Sequence, residues 1–181
     1  MCDVGSGAGL PGLVLAIVRL DLRVTLLEPL LRRTTFLQET VEDLGLSNVE
    51  VVRGRAESLH GLRTFDVVTS RAVAPLARLL EWSMPLVQPD GAMIALKGSS
   101  VEQEIADARD TLRRLGCRSP EVTSVGSTAD IPTRVVRVSW TGEAALRLRS
   151  AARDGAARDG GGARGRASSA RGAKSRPRRR S

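Results

Sequence analysis

Aromatic side chains are nearly absent from this sequence: two Phe, two Trp and no Tyr, 2% of the chain. Base stacking on an aromatic platform is therefore excluded as a main way of holding RNA. Cysteine is as scarce. Cys2 and Cys117 lie far apart, no C-x-x-C occurs and there is one histidine, His60, so neither a disulfide scaffold nor a zinc cluster has support. Long apolar runs are missing too. The longest, residues 10–18, is interrupted by Gly12 and followed at once by Arg19, which suits neither a membrane span nor a signal peptide. The expected location is the cytoplasm, with no membrane partner.

What is present is 181 residues, the length of one ordinary domain with room for an appendage. The net charge of +8 resembles a nucleic-acid signature until it is located. Residues 147–181 hold 12 basic and 2 acidic residues, leaving 16 basic and 18 acidic ones in residues 1–146. The positive charge belongs to the tail, and the rest is close to neutral. From residue 150 onward there is no Val, Ile, Leu, Phe or Trp, so burial cannot offset the entropy of ordering that segment. The reading is a domain over residues 1–141 and a disordered Arg/Gly/Ala/Ser-rich basic tail over residues 142–181. The tail is most simply a solvated arm, with a non-specific RNA anchor as the alternative.

Within the domain, β-branched runs alternate with helical patterns, the sign of a mostly parallel sheet with helices on both faces. Strands are expected at residues 1–4, 23–28, 49–52, 65–70 and 92–97, the last opened by a Pro89-Asp90-Gly91 turn. Helices are expected near residues 31–44 and 74–84. A single long helix carrying Val101, Ile105, Ala108, Leu112 and Leu115 should end at Gly116. Runs at residues 121–125 and 134–140 are too close for a crossover helix and should pair antiparallel. The fold class is α/β, Rossmann-like, with a seven-stranded sheet ending in an antiparallel hairpin.

Chemistry concentrates in Asp3-Val-Gly5-Ser-Gly7-Ala-Gly9-Leu10-Pro11-Gly12, placed between a strand and a helix. Glycines there let the backbone approach a ligand, and the helix start behind them offers free N–H groups. Gly7-x-Gly9-x-x-Gly12 also satisfies the dinucleotide fingerprint, which keeps an NAD-type ligand as an alternative. Asp3 and Pro11 weigh against it. A carboxylate just before the first glycine gains nothing from a pyrophosphate but suits a cationic group, such as the ammonium of a methionine moiety. S-adenosylmethionine is therefore the favoured ligand. Glu28, at the end of the second strand, is placed to accept both hydroxyls of a ribose, against the plain reading of a solvated glutamate before Pro29.

These residues, with Leu13-Val-Leu-Ala-Ile-Val-Arg19, Thr25-Leu-Leu-Glu28, Gly54-Arg55-Ala56-Glu57, Phe65-Asp-Val-Val-Thr-Ser-Arg71-Ala72 and Leu96-Lys97-Gly98, resemble the bacterial 16S ribosomal RNA guanine-N7 methyltransferases, once called glucose-inhibited division protein B. The resemblance implies a class I S-adenosylmethionine-dependent methyltransferase fold. It also implies methyl transfer to guanine N7 in 16S ribosomal RNA or the small ribosomal subunit, by a monomer. By position, Gly5 and Leu10 would line the methionine end of the cofactor, Glu28 its ribose, Ala56 and Glu57 its adenine, and Arg71 the mouth, with Gly7 a further cofactor contact. Members of this family begin with a helical segment ahead of the glycine motif. On the resemblance this chain is expected to be truncated there, with an incomplete first strand.

No catalytic dyad is expected. Nor does an N/D-P-P-Y motif follow the fourth strand, where Ser70-Arg71-Ala72-Val73 stands instead, which disfavours methylation of an exocyclic amine. Arg71 is a cofactor or substrate contact rather than a structural ion pair. Lys97 is an RNA-phosphate contact or an exposed strand-end lysine, and His60 a solvated loop histidine. The rival functions are methyl transfer to another substrate and an inactive remnant that binds RNA through its tail.

Overall fold

The computed structural model describes residues 1–71, 73–126 and 133–159. In chain order the elements are β1 (Cys2–Val4), α1 (Gly12–Val18), β2 (Val24–Glu28), α2 (Leu31–Asp43), β3 (Val49–Arg53), β4 (Phe65–Arg71), α3 (Leu76–Ser83), β5 (Val87–Lys97), α4 (Val101–Asp107), α5 (Arg109–Leu115), β6 (Glu121–Val125), β7 (Thr133–Ser139) and α6 (Gly142–Asp159), with short 3-10 turns at Ala56–Leu59 and Met84–Leu86. They form one seven-stranded sheet in the order β3-β2-β1-β4-β5-β7-β6. The first five strands are parallel, and β7 runs against both β5 and β6.

Alternation along the strands divides the interior into two layers. Val24, Leu26, Leu13, Ala16 and Leu37 make the core beneath α1 and α2. Cys2, Val4, Leu27 and Val68 point the other way, into a larger core with Leu76, Leu79 and Leu80 of α3 and with residues of α4, α5 and β7. Leu76, Leu79, Leu80 and Ser83 are the buried stripe of α3, at the i, i+3, i+4, i+7 spacing of one helix face. Burial of Cys2 pushes its thiol up to about 12 and burial of Cys117 pushes it to about 11; both cysteines are free thiols.

Four sequence expectations need correction. Pro89-Asp90-Gly91 does not open the fifth strand. It lies inside β5, which begins at Val87, opposite a register shift between Phe65 and Val67. Gly91 is tight against β4 there, since a Cβ would lie 2.5 Å from the Asp66 carbonyl oxygen. The expected single helix over residues 101–115 is divided into α4 and α5 at Ala108, whose ψ of 0° opens the spiral for one residue. The helix expected near residues 74–84 begins at Leu76, after Pro75. Finally, the tail does not begin at residue 142. The chain is helical over Gly142–Asp159 and α6 packs against β5, with Ala145 buried and Arg149 paired with Asp90. The rest of the expected tail, residues 160–181, lies outside the described residues.

At the centre of the sheet, β1 pairs with β2 through Cys2–Thr25 and Asp3–Leu26, and with β4 through Cys2–Val68 and Asp3–Thr69. Its alternation turns Asp3 toward α1. There Asp3 is fully buried and its Oδ2 accepts the Gly12 N–H at 3.0 Å. Helix and strand approach so closely at this point that a Cβ on Gly12 would lie 2.6 Å from Leu26 Cδ2 and 2.7 Å from Asp3 Oδ2. Burial raises the Asp3 carboxyl to about 6, although the Gly12 bond pulls the other way.

Two outcomes follow. Gly12→Ala should lower stability by about 1 to 3 kcal/mol through overpacking. Gly142→Ala, with nothing within 4 Å of the added Cβ, should change it by less than about 0.5 kcal/mol. Urea titrations of the two variants check the contrast. The second outcome concerns pH. Because the Asp3 pKa is higher folded than unfolded, its contribution to stability is complete below about pH 4 and is lost as pH rises through about 6. The stability of the protein relative to its Asp3→Asn variant should therefore fall by on the order of 3 kcal/mol between pH 4 and pH 7. A difference independent of pH would contradict this burial.

Candidate functional site

The C-terminal ends of β1, β2, β3 and β4 surround a cavity of about 730 Å³, within the range of roughly 300 to 1,000 Å³ usual for small-ligand sites. Seven residues expected from the sequence line it: Gly5, Gly7, Leu10, Glu28, Ala56, Glu57 and Arg71. They come from four separate stretches of chain, brought together because parallel strands end on the same edge of the sheet.

Glu28 organises the loop. It is 2% exposed, its Oε2 accepts the Gly7 N–H at 2.9 Å, and its Oε1 accepts the Leu30 N–H at 3.0 Å. One carboxylate thus ties the glycine loop to the segment entering α2. Each oxygen has a second lone pair, so acceptor capacity remains toward the cavity. Arg33 stands 4.0 Å from Oε2. Gly5 and Gly7 take φ values of +70° and +58°, which favour glycine. A Cβ at Gly5 would lie 2.9 Å from Val73 Cγ2, so this loop touches the segment after β4 directly.

The lining also includes Arg55, Arg78 and Trp82, for which the sequence assigned no role. Arg78 lies over the Trp82 ring, 5.3 Å from its centroid, a cation–π contact. The i, i+4 spacing of these two on α3 was the available signal, but nothing in the sequence says that this face of α3 meets the cavity. His60 differs from the solvated loop residue expected. Its Nε2 is 2.9 Å from the Trp82 carbonyl oxygen, joining the turn that carries Ala56 and Glu57 to the end of α3.

Two expected site residues stand elsewhere. Asp3 does not line the cavity: it lies beneath α1, where its Oδ2 accepts the Gly12 N–H. Lys97 is not an exposed phosphate contact. Its side chain is 6% exposed, and its ammonium donates to the Ala74 carbonyl at 2.6 Å and to Glu104 Oε2 at 2.7 Å. The chain turning into α4 after β5 brings Glu104 back onto it. Among the described residues no cluster of His, Cys, Asp and Glu is arranged to hold a metal ion, and no helix is long and apolar enough to cross a membrane.

Comparison with known proteins gives this geometry its context. Residues 1–131 match the family model of rRNA small subunit methyltransferase G. The chain is 64% identical over 141 residues to the ribosomal RNA small subunit methyltransferase G of Nocardioides sp., an alignment covering 77% of this chain and 56% of that protein. It is 54% identical over 155 residues to the protein of the same name from Streptomyces coelicolor, covering 84% and 64%. The chain thus spans a little over half to just under two thirds of the length of these curated relatives. In fold it is similar to the crystal structure of a SAM-dependent methyltransferase from Aquifex aeolicus, with a TM-score of 0.58, 22% identity and coverage of 76% and 79%. With the matched model spanning most of the chain and identities above one half, the chain belongs to the rRNA small subunit methyltransferase G family.

Proposed function

We propose that this protein binds S-adenosylmethionine in the 730 Å³ cavity and directs its methyl group to N7 of a guanine, guanine-527, in 16S ribosomal RNA of the small subunit, acting in the cytoplasm as a monomer. The observation that carries the reading is Glu28: a buried carboxylate at the end of β2, fixed by two backbone N–H groups and with acceptor capacity left toward the cavity. The donor set fits the cofactor. Glu28 would hold the ribose hydroxyls, Gly5, Gly7 and Leu10 the methionine end, Ala56 and Glu57 the adenine, and Arg71 would stand at the mouth. When bound, the cofactor supplies a methyl group on a sulfonium that departs as a neutral thioether.

The chain's own share of the chemistry is placement. Guanine N7 has an in-plane lone pair and no proton, so no general base is required. Among the described residues, those lining the cavity include no histidine, cysteine or lysine. What the protein would supply is a fixed glycine loop and alignment of cofactor and base, and proximity and orientation account for much of such a rate.

Glu28→Gln keeps the size of the side chain and removes its charge. It should weaken cofactor binding by about tenfold to a hundredfold, the loss of hydrogen bonds to a charged group worth roughly 1.5 to 3 kcal/mol. Calorimetric titration with S-adenosylmethionine measures this, with methyl transfer to unmodified small subunits followed in parallel. Unchanged affinity would contradict the ribose assignment.

A further inference from the structure

Beside the first cavity lies a second, of about 810 Å³, at the C-terminal ends of β4 and β5. The two share Arg71 and Val73, and Val73 is the side chain that abuts Gly5. A group in the second cavity therefore sits next to the end of the first that Gly5 borders. Lys97 forms part of its wall, as do Glu104 and Asp107.

The Lys97 ammonium has two partners, the Ala74 carbonyl and Glu104. Glu104 has further partners. Its Oε2 also accepts the Leu76 N–H at 2.9 Å, and its Oε1 accepts the Ser100 hydroxyl at 3.3 Å. These bonds latch β5, α4 and the segment between β4 and α3 together. An ammonium carries three hydrogens. Among the described residues the third hydrogen of Lys97 has no acceptor, although the side chain is more than nine-tenths buried. A donor so confined favours a ligand that offers an acceptor.

We propose that the second cavity receives the target guanine and that Lys97 donates its third hydrogen to O6 of that base, which makes Lys97 the residue that selects guanine over adenine. The inference rests on the activity proposed above and extends it to the acceptor. Both purines carry a lone pair at N7, so attack on the methyl group does not by itself distinguish them. Their neighbouring groups do: guanine places the acceptor O6 beside N7, whereas adenine places its N6 amino donor there. An ammonium fixed next to N7 pairs with the first and opposes the second. Glu104 is a positioning residue, balancing the charge of Lys97 and holding its nitrogen in place. Arg71, shared by the two cavities, stands between cofactor and base.

The test uses small subunits reconstituted with 16S RNA carrying guanine, hypoxanthine or 2-aminopurine at the target position. Hypoxanthine keeps N7 and O6, while 2-aminopurine keeps N7 and lacks O6. With the unaltered protein, kcat/KM on hypoxanthine should stay within about threefold of guanine, and on 2-aminopurine it should fall by about a hundredfold or more. Lys97→Met should lower kcat/KM on guanine by a similar factor and remove the difference between guanine and 2-aminopurine. Its affinity for S-adenosylmethionine, measured by calorimetry, should stay within about twofold of the unaltered protein, because Lys97 does not line the first cavity. Equal rates on guanine and 2-aminopurine with the unaltered protein overturn the inference without recourse to any variant. A Lys97→Met protein that still prefers guanine overturns it as well. Failure of the unaltered protein to methylate guanine at all would contradict the proposed activity, and this inference with it.

Discussion

Two backbone N–H groups, those of Gly7 and Leu30, converge on the carboxylate of Glu28, which β2 delivers to the edge of the sheet almost wholly out of water. A buried carboxylate needs hydrogen-bond donors, and here they come from the turn after β1 and from the entry to α2. Satisfying that charge fixes the glycine loop in place. The loop in turn fixes the position of Val73 by contact at Gly5, and Val73 belongs to both cavities. The geometry of the site thus propagates from one side chain at the end of one strand.

A second constraint operates one layer below. Asp3 and Gly12 are so close that only glycine fits under the start of α1, and the N–H of Gly12 answers the Asp3 carboxylate. The same glycine that completes a dinucleotide-like fingerprint therefore has a packing reason that concerns no pyrophosphate. Asp3 and Glu28 are both buried acids beside one loop, yet only Glu28 reaches the cavity. Both lie on the α1/α2 face, since Asp3 is in register with Leu26, two residues before Glu28; the difference is depth, Glu28 standing at the end of its strand and Asp3 lower, under α1.

Much of the fold was readable because strand and helix patterns are short, regular and punctuated by glycine and proline. The parallel strands, the antiparallel pair β6–β7 and the end of α5 at Gly116 follow from those signals. The glycine loop and Glu28 were singled out by their places at strand ends, and Ala56, Glu57 and Arg71 by the family resemblance; the structure brings all of them to one cavity. What spacing does not set is how deep a residue lies or the neighbours that tertiary contact brings. Asp3 was read as facing a ligand, but it sits below the end of β1, covered by the start of α1. Lys97 was read as exposed, but Glu104, seven residues on, folds back over it. Trp82 and Arg78 were passed over because α3 meets the cavity through packing against the turn at Ala56–Leu59. α6 was read as tail because its sequence is apolar only at its start, where Ala145 is buried.

In the proposed function a single small ligand lies against the glycine loop, Glu28 and the Ala56–Glu57 turn. Amide hydrogen exchange, followed by mass spectrometry with and without ligand, tests that placement directly. Saturating S-adenosylmethionine should slow exchange over the peptides spanning residues 5–10, 28–33 and 54–57 and leave β6 and α5 unchanged, and NAD should slow none of them. Protection by NAD at the same peptides, or protection by S-adenosylmethionine confined to other parts of the sheet, would contradict it.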